Sequence, residues 1–219
     1  MHDSALSAAA RAEAAGLLVG VRGLLVDLDG TLVDSGPSIA PAVDAVRARL
    51  GLEPIGAPAV AAALGGGLGA LLRATLPVEH HGRIDEMRPL FHEIRTRHLL
   101  EARPFPGADR LVRRCGARMG LVTNAPRRYA GPLVAHLGWR FAVICDGDGP
   151  RKPDPTPLRI AAERLRVPPD AIICVGDSDV DAQAAAAAGM RFATVPWSGL
   201  RAPQVDFHLL FEVLSRGPR

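Results

Sequence analysis

Five short runs stay apolar on consecutive positions rather than alternating: residues 21–28, 118–122, 141–145, 171–175 and 192–195. That pattern suits strands buried on both faces. The first run ends in acid and glycine, so a turn is expected straight after it. Between the last four lie helix-length stretches, 127–137, 155–166 and 179–188. Strands alternating with helices predict right-handed βαβ units and a parallel sheet covered on both faces. From 37 to 103 the alternation lapses, and the chain reads as helices only, at 38–50, 58–64, 68–76 and 79–100, separated by glycines and prolines. Pro104, Phe105, Pro106 and Gly107 then turn the chain back. The expected division is an α/β core from 1–36 and 104–219 with a helical insertion over 37–103, preceded by a short helical extension in the first twenty residues.

The composition supports one core plus one insertion, since 219 residues exceed a typical domain of roughly 100–150 without reaching two. With 48% hydrophobic and 22% charged residues, the chain can bury a core and disorder is not expected. No apolar stretch approaches the ~20 residues of a membrane span, and the first residues lack a secretory pattern. Cys115, Cys145 and Cys174 show no metal-ligand spacing, and their odd number argues against a disulfide framework, so a cytoplasmic protein is expected. The net charge of +3 is carried by scattered cations, and aromatics are 4%, which argues against nucleic acid and for a small anionic partner. A monomer or a homodimer is expected. Of the 26 basic residues only Lys152 is a lysine. A site that keeps the compact ammonium, in a chain that otherwise uses arginine, points to a requirement for that shape.

Four motifs follow predicted strands. Asp27-Leu28-Asp29-Gly30-Thr31-Leu32-Val33-Asp34-Ser35 comes first; two carboxylates two residues apart on an extended chain point the same way and repel unless a cation or proton relieves them. Oxygen ligands of this kind suit a hard divalent ion. Thr123-Asn124 offers a hydroxyl and an amide for phosphate oxygens, or a turn or helix cap. Lys152-Pro153-Asp154-Pro155 offers a point charge, or a surface lysine before a helix. Gly176-Asp177-Ser178-Asp179-Val180-Asp181 offers a metal-binding Asp177, with Asp181 one helical turn on as an orienting residue and Asp179 as a possible cap. In a doubly wound sheet the carboxyl ends of the strands share one crevice, so the four motifs are expected to converge.

Together these residues resemble the haloacid dehalogenase-like hydrolase superfamily, with DLDGTLVDS, TN, KPDP and GDSDVD in order over about Gly23 to Gly199. Within it the chain looks like the phosphoglycolate phosphatase branch, on LGGGLGALLRATLP, RPFPGADRL, LVTNAPRR, RKPDPTPL and VGDSDVDAQAAAAAG. The resemblance implies a doubly wound Rossmann-like α/β core with sheet order 5-4-1-2-3 and a helical cap. It implies Asp27 as nucleophile and Asp29 as general acid and base, with Thr123 and Lys152 gripping the phosphoryl group. Asn124 would shape the loop and Thr31 would fix Asp29. It implies Mg2+ held by Asp27, the Asp29 backbone carbonyl and Asp177, with Ser178 and Asp181 behind them. His98 and the loop Pro196-Trp197-Ser198-Gly199 depart from the family's usual residues.

The expected activity is hydrolysis of a small phosphorylated metabolite, 2-phosphoglycolate favoured, through an aspartyl phosphate. A phosphosugar mutase using the same Asp pair, a dehalogenase, and a non-catalytic binding protein on the same fold are the alternatives. In the insertion, Gly65, Gly66, Gly67 and Gly69 are expected to lie over the site. Arg73 is expected to meet a substrate carboxylate unless it is a solvated helix residue. His80, His81, His92 and His98 read as surface histidines rather than a metal cluster.

Overall fold

The computed structural model describes residues 6–64 and 67–215. The helix α1 (Ala8–Leu17) leads to β1 (Gly23–Val26), a turn and β2 (Val33–Asp34). Four helices follow: α2 (Gly36–Arg49), α3 (Gly56–Ala62), α4 (Gly67–Thr75) and α5 (Ile84–His98). Then β3 (Arg103–Pro104) pairs antiparallel with β2, so the helical insertion leaves and re-enters through a single ribbon. The rest alternates: α6 (Ala108–Cys115), β4 (Met119–Val122), α7 (Arg127–His136), β5 (Val143–Cys145), α8 (Thr156–Leu165), β6 (Ile172–Gly176), α9 (Asp179–Ala188), β7 (Arg191–Thr194) and α10 (Phe207–Ser215).

The five long-range strands form one parallel sheet in the order β5-β4-β1-β6-β7. The ribbon strands β2 and β3 add to the chain count but not to this sheet; without them the order, read from the β7 edge, is 5-4-1-2-3. The strand β1 is central and fully buried, as are β4 and β6 beside it. Alternate residues feed the two faces. Leu24, Val26, Met119, Leu121, Ile173 and Val175 pack in one core with residues of α1, α6, α7 and α10. Leu25, Val122, Ile172 and Cys174 pack on the other face with α8 and α9. The N-terminal helix is docked, with Ala14 and Leu18 buried in the first core.

Three differences from the pattern-based expectation have local causes. The stretch 79–100 is not one helix: a 3-10 turn over Val78–Arg83 precedes α5, and another over Leu99–Glu101 follows it. The helix α6 carries four basic or acidic residues in eight positions, so its apolar stripe of Ala108, Leu111, Val112 and Cys115 is sparse although it faces the core. The helix α10 lies beyond the last strand, where Phe207, Leu209 and Leu210 dock it into the first core.

The insertion has its own core, built from Ile39, Val43, Val46, Leu72, Met87 and Phe91 among others. Phe91 is 1% exposed, so Phe91→Ala is expected to cost about 3–5 kcal/mol, read as a lowered urea midpoint.

Candidate active site

The strand β1 ends at Val26, and the backbone N–H of Asp27 still donates to Val175 O at 3.0 Å. This last rung holds Asp27 at the mouth of the sheet's crevice. Lys152 Nζ donates to Asp27 Oδ1 at 2.6 Å and to Asp181 Oδ1, and all three side chains are at most 10% exposed. Oxygens of Asp27, Asp177 and Asp181 lie within 4.8 Å of one another. Three strands far apart in sequence therefore deliver their motifs to one place.

Each group is held from behind. Asn124 uses both ends of its amide on the lysine's backbone: Nδ2 donates to Lys152 O and Oδ1 accepts from Lys152 N, each at 2.9 Å. Asn124 thus clamps the β5–α8 loop to the β4 end and positions the ammonium. Thr123 is buried and its Oγ1 accepts from Ala125 N. Ser178 donates to Asp181 Oδ2 from its hydroxyl at 2.5 Å and from its backbone N–H at 3.2 Å, so both oxygens of Asp181 are committed. That commitment makes Asp181 an anchor for Lys152 at the start of α9.

Thr31 was expected to fix Asp29; instead its hydroxyl donates to Asp177 Oδ1 at 2.9 Å, because the turn after β1 carries it across to the β6 end. That turn needs glycine: at Gly30 φ is +85° and a Cβ would fall 2.2 Å from Asp177 Oδ2. Gly176 is equally constrained, since a Cβ there would lie 2.4 Å from Asp181 Cγ. The unusual Trp197 braces the same turn by donating from Nε1 to Gly30 O at 2.8 Å while stacking on Phe105.

Burial pushes the Asp27 carboxyl well above its ordinary range; Lys152 opposes the shift, and Asp181 and Asp177 add to it. Burial and repulsion from Asp181 likewise raise Asp177 to about 6, against the pull of Thr31's hydrogen bond. Burial works against the charge on Lys152, but Asp181 and Asp27 outweigh it and hold the ammonium above its ordinary value. Three carboxyls share one ammonium. The donor set is all hard oxygen and short of positive charge, so these residues fit a divalent cation such as Mg2+.

The carboxylate of Asp29 stands apart from that cluster. It accepts from the buried Ser35 hydroxyl, and Arg95 Nη2 lies 3.4 Å away. Asp27, Asp29, Thr123, Asn124 and Lys152 all line a cavity of about 150 Å³ between the sheet and the insertion. Its far wall comes from α4, α5 and α7, including Gly67, Phe91, His92, Arg95 and Tyr129.

Gly67 therefore sits over the site, whereas Gly65 and Gly66 lie outside the described residues. Gly69 is inside α4. Arg73 is a correction: it is exposed on α4 and does not line the cavity, because the helix turns Leu68, Leu71 and Leu72 inward instead. His92 is another, since it is no free surface histidine. Its Nδ1 lies 2.5 Å from Tyr129 Oη, and Nε2 accepts from Arg128 at 3.0 Å. Burial, with Arg128, Arg88 and Arg95 nearby, holds its pKa below the ordinary value.

Arg95, Ser35 and Tyr129 were missed. For Arg95 a signal existed: Ile84, Met87, Phe91 and Arg95 are the buried positions of α5, at helical spacing, so an arginine continues an apolar stripe. Ser35 was inside the first motif but had no assigned role.

A doubly wound sheet with acids at the carboxyl ends of β1 and β6, a lysine after β5 and a helical insertion after β1 places the protein in the Rossmann-like α/β class. The family model described as haloacid dehalogenase-like hydrolase matches residues 21–189, and the chain belongs to that family. It is 38% identical over 167 residues to a phosphoglycolate phosphatase of Pseudomonas savastanoi pv. phaseolicola, covering 70% of this chain but only 61% of that protein. It is 30% identical over 194 residues to an N-acetylmuramic acid 6-phosphate phosphatase of Pseudomonas aeruginosa, covering 84% of this chain and 85% of that one. A haloacid dehalogenase-like family hydrolase of Streptococcus pneumoniae superposes with a TM-score of 0.70 at 21% identity, over 88% of this chain and 90% of that one, a likeness of fold. No helix among the described residues is long and apolar enough to cross a membrane.

The raised Asp177 gives a pH prediction. Its folded value of about 6 exceeds the reference 3.8, so between them the folded state binds more protons than the unfolded one. Stability of the metal-free protein should therefore fall as pH rises through that window. In chelator, the thermal midpoint is expected to drop more steeply for the wild type than for Asp177→Asn. At neutral pH, magnesium should raise the wild-type midpoint and leave the variant's nearly unmoved.

Proposed function

We propose that this protein is a phosphomonoester hydrolase that works through a phosphorylated Asp27. The observation that carries this reading is the buried contact of Lys152 with both Asp27 and Asp181 beside Asp177. A lysine buried there can neutralise a phosphoryl oxygen without leaving its place.

The insertion over 37–103 acts as a cap that excludes bulk water and meets the part of the substrate that is not phosphate. An oxygen of Asp27 attacks phosphorus in line while the bond to the leaving oxygen breaks. Asp29, oriented by Ser35, gives that oxygen its proton. In the second half Asp29 takes a proton from water, the water oxygen bonds to phosphorus, and the Asp27 carboxylate is released with inorganic phosphate. Lys152 and the Thr123 hydroxyl hold the non-bridging oxygens, and Asn124 keeps Lys152 aligned. A magnesium ion held by Asp27, Asp177 and the Asp29 backbone carbonyl would supply the remaining charge neutralisation between nucleophile and phosphate.

A small substrate fits the space. A cavity of about 150 Å³ corresponds to roughly five waters at ~30 Å³ each, enough for a phosphate and a leaving group of a few heavy atoms. The compounds in the two relatives' names, phosphoglycolate and N-acetylmuramic acid 6-phosphate, both join a phosphate to a carboxylic acid, and the first is far smaller. We therefore favour 2-phosphoglycolate.

Asp27→Asn is nearly isosteric and is expected to abolish phosphate release from 2-phosphoglycolate, measured with magnesium present, while the circular dichroism spectrum is retained. Lys152→Arg should also lose at least ~100-fold in kcat, because a planar fork cannot occupy the ammonium's place between two carboxylates. Full turnover by either variant would contradict the proposed roles.

A further inference from the structure

The cavity is polarised. Its lining carries Asp27, Asp29 and Asp181 with Lys152 as one group and Arg88, Arg95, His92 and Arg128, on α5 and α7, as a second; the two meet where Arg95 Nη2 lies 3.4 Å from Asp29 Oδ1. A bare phosphate needs only the first group, so the second calls for its own explanation.

Arg95 is the centre of that second group. It is 8% exposed, at the fourth position of the buried stripe of α5, and its guanidinium lies 4.4 Å from the centroid of the buried Tyr129 ring. Among the described residues, its Nε is the buried side-chain nitrogen without a hydrogen-bond partner. Its contact with Asp29, at 3.4 Å, is well beyond the ~2.7–2.9 Å of a charge-assisted hydrogen bond. A buried guanidinium is costly unless it is paired and hydrogen-bonded, and its long hydrogen bond to Asp29 leaves Nε without a partner. Arg128 lies 5.1 Å from the same ring and donates to His92, adding a second cation at the rim. Burial first, and then Arg128, Arg88 and Arg95, hold the His92 imidazole below its ordinary pKa.

We infer that Arg95, with Arg128 at the rim, forms a subsite for a second anionic group of the substrate, a carboxylate carried by the leaving group. The planar fork, five donors wide, matches a carboxylate in two hydrogen bonds, and Tyr129 beneath it fixes the plane of the guanidinium. With the phosphoryl group at Asp27 and Lys152, Arg95 lies beside Asp29, 3.4 Å from its carboxylate, so the link between the two anions is short. This rests on the phosphomonoester reading above and extends it: Arg95 selects among esters, and its pairing with substrate also sets the distance between Asp29 and the leaving oxygen.

The test separates this subsite from the catalytic reading. In the Asp27→Asn protein with magnesium, calorimetry compares binding of 2-phosphoglycolate with that of 2-hydroxyethyl phosphate, which has the same length and no carboxylate. The acid is expected to bind roughly 10- to 100-fold more tightly, the scale of one lost charged hydrogen-bonding partner. Adding Arg95→Met should erase that preference, Arg95→Lys should restore part of it, and Arg128→Gln, at an exposed position that does not endanger folding, should reduce it. Equal binding of the two esters, or a preference that survives both Arg95→Met and Arg128→Gln, would overturn the subsite. Should the wild type hydrolyse neither ester while the Arg95-dependent preference stands, the phosphatase reading fails and the subsite remains.

Discussion

The site is organised around one buried ammonium. Lys152 touches Asp27 and Asp181 in a place that water scarcely reaches, and removing the lysine would leave two carboxyls without their cation inside the protein. Losing half of such a pair costs on the order of 3–5 kcal/mol, so the arrangement commits the ends of β1, β5 and β6 to one geometry. Asn124, Ser178, Thr31 and Trp197 serve that geometry from behind, each bound to the backbone or carboxylate it steadies. The remaining imbalance, three carboxyls to one ammonium, is what makes the place receptive to a divalent cation.

That economy also explains the glycines at the crevice. Gly30 and Gly176 are not merely flexible: side chains there would collide with Asp177 and Asp181. The acids approach the backbone this closely because the parallel sheet brings β1 and β6 side by side, with Val26 opposite Val175. The helical insertion then closes over a surface that the sheet alone has already prepared. Its own contribution is Arg88, Arg95 and His92 on α5, which meet Arg128 on α7 of the core to make a positive wall facing the acidic floor.

The core of the fold was legible because strands buried on both faces leave unbroken apolar runs, as β1, β4 and β6 do, and because catalytic groups in such a sheet fall at predictable strand ends. Ribbon strands two residues long leave no such trace, and α6 hides its stripe among arginines. In the insertion, residue type alone was a poor guide. Arg73 and Arg95 both lie on helices, and only the face decides which one reaches the cavity. The periodicity of α5 carried that information for Arg95, and on α4 the inward Leu68, Leu71 and Leu72 leave Arg73 on the exposed face. Thr31 was misdirected for a related reason: a turn, unlike a strand, does not preserve the side on which its residues emerge.

The central claim is that Asp27 itself carries the phosphoryl group during turnover. The most direct measurement is to quench the protein in acid during steady-state hydrolysis of 2-phosphoglycolate, reduce it with borohydride, and sequence the peptide spanning Asp27 by mass spectrometry. An acyl phosphate at that position is reduced to the alcohol, so homoserine is expected at 27 and nowhere else. Unmodified aspartate at 27 with phosphate still being released, or homoserine at Asp29 instead, would contradict the account.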